Sequence, residues 1–186
     1  MAASARTSLA PMLLLSMPQL SDPNFHHTVV LLCEHTPEGA FGLVINRPTG
    51  VPAASAVQLD PPVVTGCALE LWEGGPVEPQ RGWLLLGDEP EDEESMRIHD
   101  GLYLSTSTTL LRRLLTAERP PRARVLTGYA GWGPGQLDTE LAESAWLIGE
   151  VDLDLVFDVS PALVWETAIR RLGADPASLQ MGSGVH

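Results

Sequence analysis

Residues 28–33, Thr-Val-Val-Leu-Leu-Cys, and residues 40–46, Ala-Phe-Gly-Leu-Val-Ile-Asn, are two unbroken apolar runs only a few positions apart. Short runs of this kind read as strands covered on both faces. Thr36-Pro37-Glu38-Gly39 lies between them, with proline at the second turn position and glycine at the fourth, as suits a type I turn. A β-hairpin from about 28 to 46 therefore anchors the fold. Local antiparallel pairing of this sort argues against a purely parallel sheet.

The remaining elements follow from periodicity and punctuation. Residues 12–17 enter as a first strand behind a loose N-terminal tail at 1–11; Pro11 and Pro18 break the apolar run too soon for the core of a signal peptide. Residues 48–62 hold four prolines and read as a connector, with a short helix around 53–59 as the alternative. Strands are expected at 68–72, 82–86, 103–106, 123–129 and 146–148. Residues 88–94 carry six acids in seven positions and read as an exposed, mobile loop. A helix is expected at 108–117, with Ser107 as N-cap and Leu110, Leu111, Leu114 and Leu115 on one face. Gln136 opens a second helix to 144, and 153–157 reads equally as strand or helix. Ser160-Pro161 opens a last helix that ends at Gly173, leaving 174–186 as a loose tail. One domain over 1–186 results, a mixed sheet with helices packed on it. That length lies within the roughly 100–200 residues of a typical domain.

Charge narrows the chemistry. The net charge of −13 repels a phosphate backbone, so direct nucleic-acid binding is disfavoured. All eleven basic residues are arginine. Without lysine the chain can build neither a phosphate-binding P-loop nor a Schiff base. Two cysteines, Cys33 and Cys67, are too few for a disulfide scaffold and read as reduced thiols, which places the chain in the cytoplasm. No run approaches the ~18 apolar residues of a membrane-spanning helix, so no membrane partner is expected.

An ordered set of short motifs runs from about residue 12 to 172. It comprises Ser16-Met17-Pro18 with Asp22-Pro23 and Phe25, Cys33-Glu34-His35, Gly39-Ala40-Phe41-Gly42, and Ile45-Asn46-Arg47-Pro48. Gly74-Gly75-Pro76-Val77 and Arg81-Gly82 follow. Then come Gly128-Tyr129-Ala130-Gly131-Trp132, Gly135-Gln136-Leu137, Glu140, Trp146-Leu147, Trp165 and Leu172-Gly173. In this order and spacing the chain resembles the AlgH/YqgE family of bacterial proteins. It departs from the family at Leu86-Gly87, where a histidine often follows the Arg-Gly strand, and in its acidic 88–94 loop. The resemblance implies an α+β fold, a mixed bifurcated β-sheet forming a pseudo-barrel with peripheral helices. It implies no catalytic residues, and the family's name points to a regulatory role in transcription.

Several constellations invite chemistry. Gly131-Trp132-Gly133-Pro134-Gly135 falls between an expected strand and an expected helix, where backbone N–H groups can hold an anion; the alternative is a tight turn with Trp132 as a packed anchor. The loop lacks the GxGxxG spacing of a dinucleotide site. Asn46-Arg47 ends a strand, and Arg47 could clamp a carboxylate or phosphate. Cys33 and His35 alternate on one strand, with His26 and His27 upstream, but Cys-x-His is not a zinc spacing. Neither metal nor cofactor is expected. Arg112, Arg113, Arg119, Arg122 and Arg124 form the only basic cluster, expected to pair with the chain's own acids. The leading expectation is a non-catalytic regulatory or interaction protein with an unknown protein partner. The alternative is a small anionic-ligand-binding protein or enzyme built from Asn46, Arg47, Gly75, Gly131, Trp132 and Gly133. Convergence of Asn46, Arg47, Gly75 and Trp132 on one pocket favours the second; scattering favours the first.

Overall fold

In the computed structural model the hairpin forms as expected, and Pro37-Glu38 connects its strands. The structure describes residues 8–18, 23–63, 69–117 and 122–181. Cys67, Arg119, Asp22 and the tail segments 1–7 and 182–186 lie outside the described residues. In chain order the strands are β1 (Met12–Ser16), β2 (Val29–Thr36), β3 (Gly39–Val44), β4 (Pro48–Pro52), β5 (Glu70–Glu73), β6 (Val77–Leu86), β7 (Met96–His99), β8 (Leu102–Ser105), β9 (Ala123–Trp132) and β10 (Trp146–Gly149). The helices are α1 (Ala53–Ala56), α2 (Thr108–Thr116), α3 (Gln136–Ala142), α4 (Leu153–Phe157), α5 (Val164–Arg171) and α6 (Pro176–Met181).

The strands join in the order β10-β1-β2-β3-β9-β6-β8-β7, with β4 and β5 branching off this path. The pairs are antiparallel except β5 with β9, which is parallel. Both faces of the central strands are covered, which is why they read as continuous apolar runs. Leu13, Leu15, Val29, Leu31, Leu43, Trp83, Leu85 and Leu126 face a shared core closed by Leu155, Val156, Trp165, Ala168 and Ile169 of α4 and α5. On the opposite face, Leu14, Val30, Leu32, Ala130 and Trp132 pack with Leu137 of α3. Leu84, Leu86, Ala123 and Val125 pack with Ala53 of α1 and with Leu114 and Leu115 of α2.

The sheet forks at β9. One edge of β9 pairs with β6. The other edge pairs with β5 through Val125, Leu126 and Thr127, then with β3 through Ala130, Gly131 and Trp132. Gly74 bridges the gap between the two partners: Val44 N–H donates to its carbonyl at 2.8 Å, and its own N–H donates to Thr127 O at 2.7 Å. Gly128, at φ +75°, shifts the strand by one residue. Leu126 and Tyr129, three apart, therefore both face the shared core.

Several sequence expectations change. The path ends at β10 and β7, which do not pair, so the sheet is open and hydrogen bonding does not close it into a barrel. Residues 48–52 are strand rather than connector; β4 is fully exposed, and prolines at its ends are tolerated on such an edge. β7 escaped notice because Ile98 is its one buried residue. Gly131 and Trp132 belong to β9, not to a loop. Residues 176–181, read as tail, form α6, where Asp175 Oδ1 accepts the Ala177 N–H at 3.0 Å and Leu179 packs on the core. The acidic 88–94 segment is a loop as expected, but Asp92 ties it down by accepting from Ser105 Oγ at 2.7 Å. Among the described residues no helix is long and apolar enough to cross a membrane.

Candidate functional site

The shared core is left partly open at Phe41 of β3 and Tyr129 of β9, which pack against it without being buried. These rings and Trp83 of β6 floor a trough of about 680 Å³. Ring centroids lie 4.9 Å apart for Phe41–Trp83, 5.2 Å for Phe41–Tyr129 and 6.2 Å for Trp83–Tyr129, with interplanar angles of 47°, 53° and 86°. The Gly131 position leaves room for this floor: a Cβ there would approach the Tyr129 ring to 3.3 Å. On the β6 side, Arg81 carries its guanidinium 4.6 Å over the Trp83 ring and pairs with Glu78 at 3.5 Å. The Tyr129 hydroxyl donates to Glu78, which raises the phenol's pKa above its ordinary value, and burial adds to the effect. Glu34 and Glu38 of the first hairpin line the other side, and Met96, 49% exposed, overhangs the trough from β7.

A second, smaller cleft of about 200 Å³ is lined by His26, His27, Asn46, Arg47, Trp165 and Glu166, among others. Asn46 is held at both ends: its Nδ2 donates to His27 O at 2.9 Å and its Oδ1 accepts the Val29 N–H at 3.1 Å. Arg47 donates to Thr28 Oγ1 at 2.7 Å. His27 stacks on Trp165 at 4.2 Å and on His26 at 4.1 Å. Burial, then neighbouring His26, push the His27 imidazole below its ordinary 6.5, partly opposed by Glu166. A histidine whose folded pKa is depressed contributes stability that is present above the unfolded value and is lost as pH falls through the folded one. Urea unfolding at about pH 7.5 and about pH 5.5 is therefore expected to show lower stability at the acid value. His27→Asn, which tolerates the φ of +47° at this position, is expected to flatten that difference.

The six residues singled out from sequence do not meet. Asn46 and Arg47 lie in the small cleft, whereas Gly131 and Trp132 line the trough. Gly75 is part of the fork, where a Cβ would stand 2.1 Å from the Tyr129 carbonyl carbon. Trp132 is the packed anchor, 6% exposed and flanked by Phe25 and Trp146. Gly133 donates its N–H to Gln136 Oε1 at 3.0 Å and accepts the Gln136 N–H on its carbonyl at 3.1 Å, so both its polar groups are tied to the first residue of α3.

Cys33 and His35 part company at a β-bulge between Leu32 and Glu34. The bulge reverses which face each following side chain takes. Cys33 packs on the shared core, donating to Leu31 O at 3.5 Å, while His35 turns to Asp138 of α3 at 3.3 Å. Burial, reinforced by Glu34, pushes the Cys33 thiol up to about 12. In a Cys67→Ser variant, Cys33, half-buried and with its thiol pKa raised, is expected to react with a disulfide reagent such as Ellman's far more slowly than an exposed cysteine; labelling at the rate of a free thiol contradicts this. Among the described residues no group of three or more His, Cys, Asp or Glu side chains could hold a metal ion.

The basic cluster disperses. Arg112 donates to Pro61 O at 2.9 Å, and Arg113 lines a hollow with the acidic loop. Arg122 pairs with Asp158. Arg124 stacks on Trp72 at 4.3 Å and donates to Phe157 O at 2.8 Å.

This architecture is a known one. A crystal structure of a protein from Corynebacterium diphtheriae, 22% identical, aligns with a TM-score of 0.69 over 95% of this chain and 92% of that one, which shows the shared fold. The solution structure of the AlgH protein from Pseudomonas aeruginosa aligns with a TM-score of 0.78 at 35% identity, each chain covered in full. A UPF0301 protein of Myxococcus xanthus is 43% identical over 96% of this chain and 99% of its own. The AlgH-like family matches residues 13–177. The chain belongs to the AlgH-like family.

Proposed function

We propose that the chain acts in the cytoplasm as a non-catalytic regulatory or interaction protein, and that the trough over Phe41, Trp83 and Tyr129 is its binding face. One observation carries this reading: three aromatic side chains from three different strands converge on one trough of about 680 Å³, beside an exposed methionine. Aromatic residues and methionine are the types enriched where proteins bind one another. The trough lies over the neighbouring strands β3, β9 and β6, and the pseudo-barrel that the family resemblance implies would make this face concave. The net charge of −13 supports a protein partner over direct contact with DNA or RNA, so any effect on transcription is indirect. Affinity purification with wild-type, Met96→Arg and Arg47→Ala proteins tests the reading. A partner retained by wild type and Arg47→Ala but lost with Met96→Arg is the expected result. A partner indifferent to Met96 and lost with Arg47→Ala overturns it.

The small cleft supports a second reading, a site for a small anionic ligand. His26, His27 and Arg47 bring two imidazoles and a guanidinium to one hollow, with Glu166 as the one acid beside them among the described residues. A thermal shift of roughly 5–10 °C with inorganic phosphate or a carboxylate at 100 times its dissociation constant, abolished by Arg47→Ala, would establish it.

A further inference from the structure

The geometry points to an arginine side chain of a protein partner as the group the trough recognises, taking the place over Trp83 that Arg81 holds in the free chain. This rests on the reading of the trough as the binding face. Phe41, Trp83 and Tyr129 together line the trough, and the negative faces of aromatic rings attract cations. The chain already displays the arrangement, since the Arg81 guanidinium lies 4.6 Å over Trp83 with Glu78 beside it. Arg81 is half exposed, its side chain 52% accessible, and its contact with Glu78 is a long 3.5 Å, so it is readily exchanged. The surroundings complement a cation: Glu34 and Glu38 line the β2–β3 side, Glu78 stands behind the β6 side as partner of both Arg81 and the Tyr129 hydroxyl, and among the described residues Arg81 is the one basic side chain lining the trough. A planar guanidinium can stack on a ring while it forks to carboxylates, which a lysine ammonium cannot do. At about 680 Å³ the trough is far larger than one cationic group, so it suits a side chain carried on an extended segment.

The test is a two-dimensional NMR titration of the full chain at low salt with acetylated, amidated Gly-Arg-Gly and with its citrulline counterpart. Citrulline keeps the shape and removes the charge. The arginine peptide is expected to shift the Trp83 indole N–H and the Tyr129 and Gly131 amides, binding about fivefold more tightly than the citrulline peptide. Arg81→Ala, which vacates the place, is expected to tighten binding, and Glu34→Gln with Glu38→Gln to weaken it. Equal responses to the two peptides, no response at these signals up to tens of millimolar, or an Arg81→Ala variant that binds no better would each overturn the proposal. If a captured partner protects the trough while the two peptides act alike, the trough remains the binding face and only the arginine assignment falls. If that partner protects other surfaces, both fall.

Discussion

Gly75→Ala and Gly128→Ala are each expected to cost about 3 kcal/mol or more, or to prevent folding. The two glycines meet at the fork. A Cβ on Gly75 would stand 2.1 Å from Tyr129 C and 2.2 Å from Tyr129 O; one on Gly128 would stand 2.2 Å from Gly75 O. These neighbours are backbone, so no side chain can swing away to make room. The cost combines about 1–3 kcal/mol for overpacking with a further 1–3, roughly, for a backbone conformation that glycine alone adopts freely at φ +153° and +75°. Gly82→Ala is the control. Nothing lies within 4 Å of its Cβ position, and its effect is expected to stay within about 0.5 kcal/mol. Urea unfolding of the three variants checks this, and a Gly75→Ala protein as stable as Gly82→Ala contradicts the account of the fork.

Trp165→Ala is the second large effect, expected at about 3–5 kcal/mol, which lowers Tm by roughly 6–20 °C for a chain of this size. Trp165 is 2% exposed in the shared core, and its indole N–H donates to Ser16 O at 2.9 Å, joining α5 to the end of β1. Ser16 also exchanges hydrogen bonds with Thr28, accepting its N–H on Oγ at 2.7 Å and donating to its carbonyl at 3.0 Å. The outer face of the indole carries the His27 stack. Trp165→Phe keeps most of the packing and loses the donor, so about 1–3 kcal/mol is expected. Differential scanning calorimetry of both variants separates the packing contribution from the hydrogen bond. The alanine variant should also reduce the pH dependence assigned to His27, because much of the burial that depresses its pKa is removed while His26 remains.

What could be read from the sequence was local. The hairpin over β2 and β3 follows from two apolar runs and a Pro-Glu-Gly turn. The start of α2 follows from Ser107, whose Oγ accepts the Leu110 N–H at 3.2 Å. The end of α5 follows from Gly173, at φ +84°. The Gly131–Trp132 segment reads as a loop because glycine beside tryptophan resembles a turn. Here Gly131 leaves space for Tyr129 inside a strand instead. Strict alternation puts Cys33 and His35 on one face, and the bulge that separates them leaves no mark in the side-chain pattern. The trough was not legible, since Phe41, Trp83 and Tyr129 are brought together only by the pairing of β9 with both β3 and β6. One local clue existed: Arg81 and Trp83 are two apart on a strand, so they share a face. The hollow holding Asn46 and Arg47 likewise required α5 to arrive with Trp165 and Glu166 from the far end of the chain.

The central claim is that the concave trough, not the His27–Arg47 cleft, receives the partner. The most direct measurement is hydrogen exchange of the chain alone and bound to the protein recovered by affinity purification. Slowed exchange is expected at residues 34–41, 77–83 and 129–132, with 26–28, 46–47 and 161–166 unchanged. Protection confined to the latter segments would contradict it.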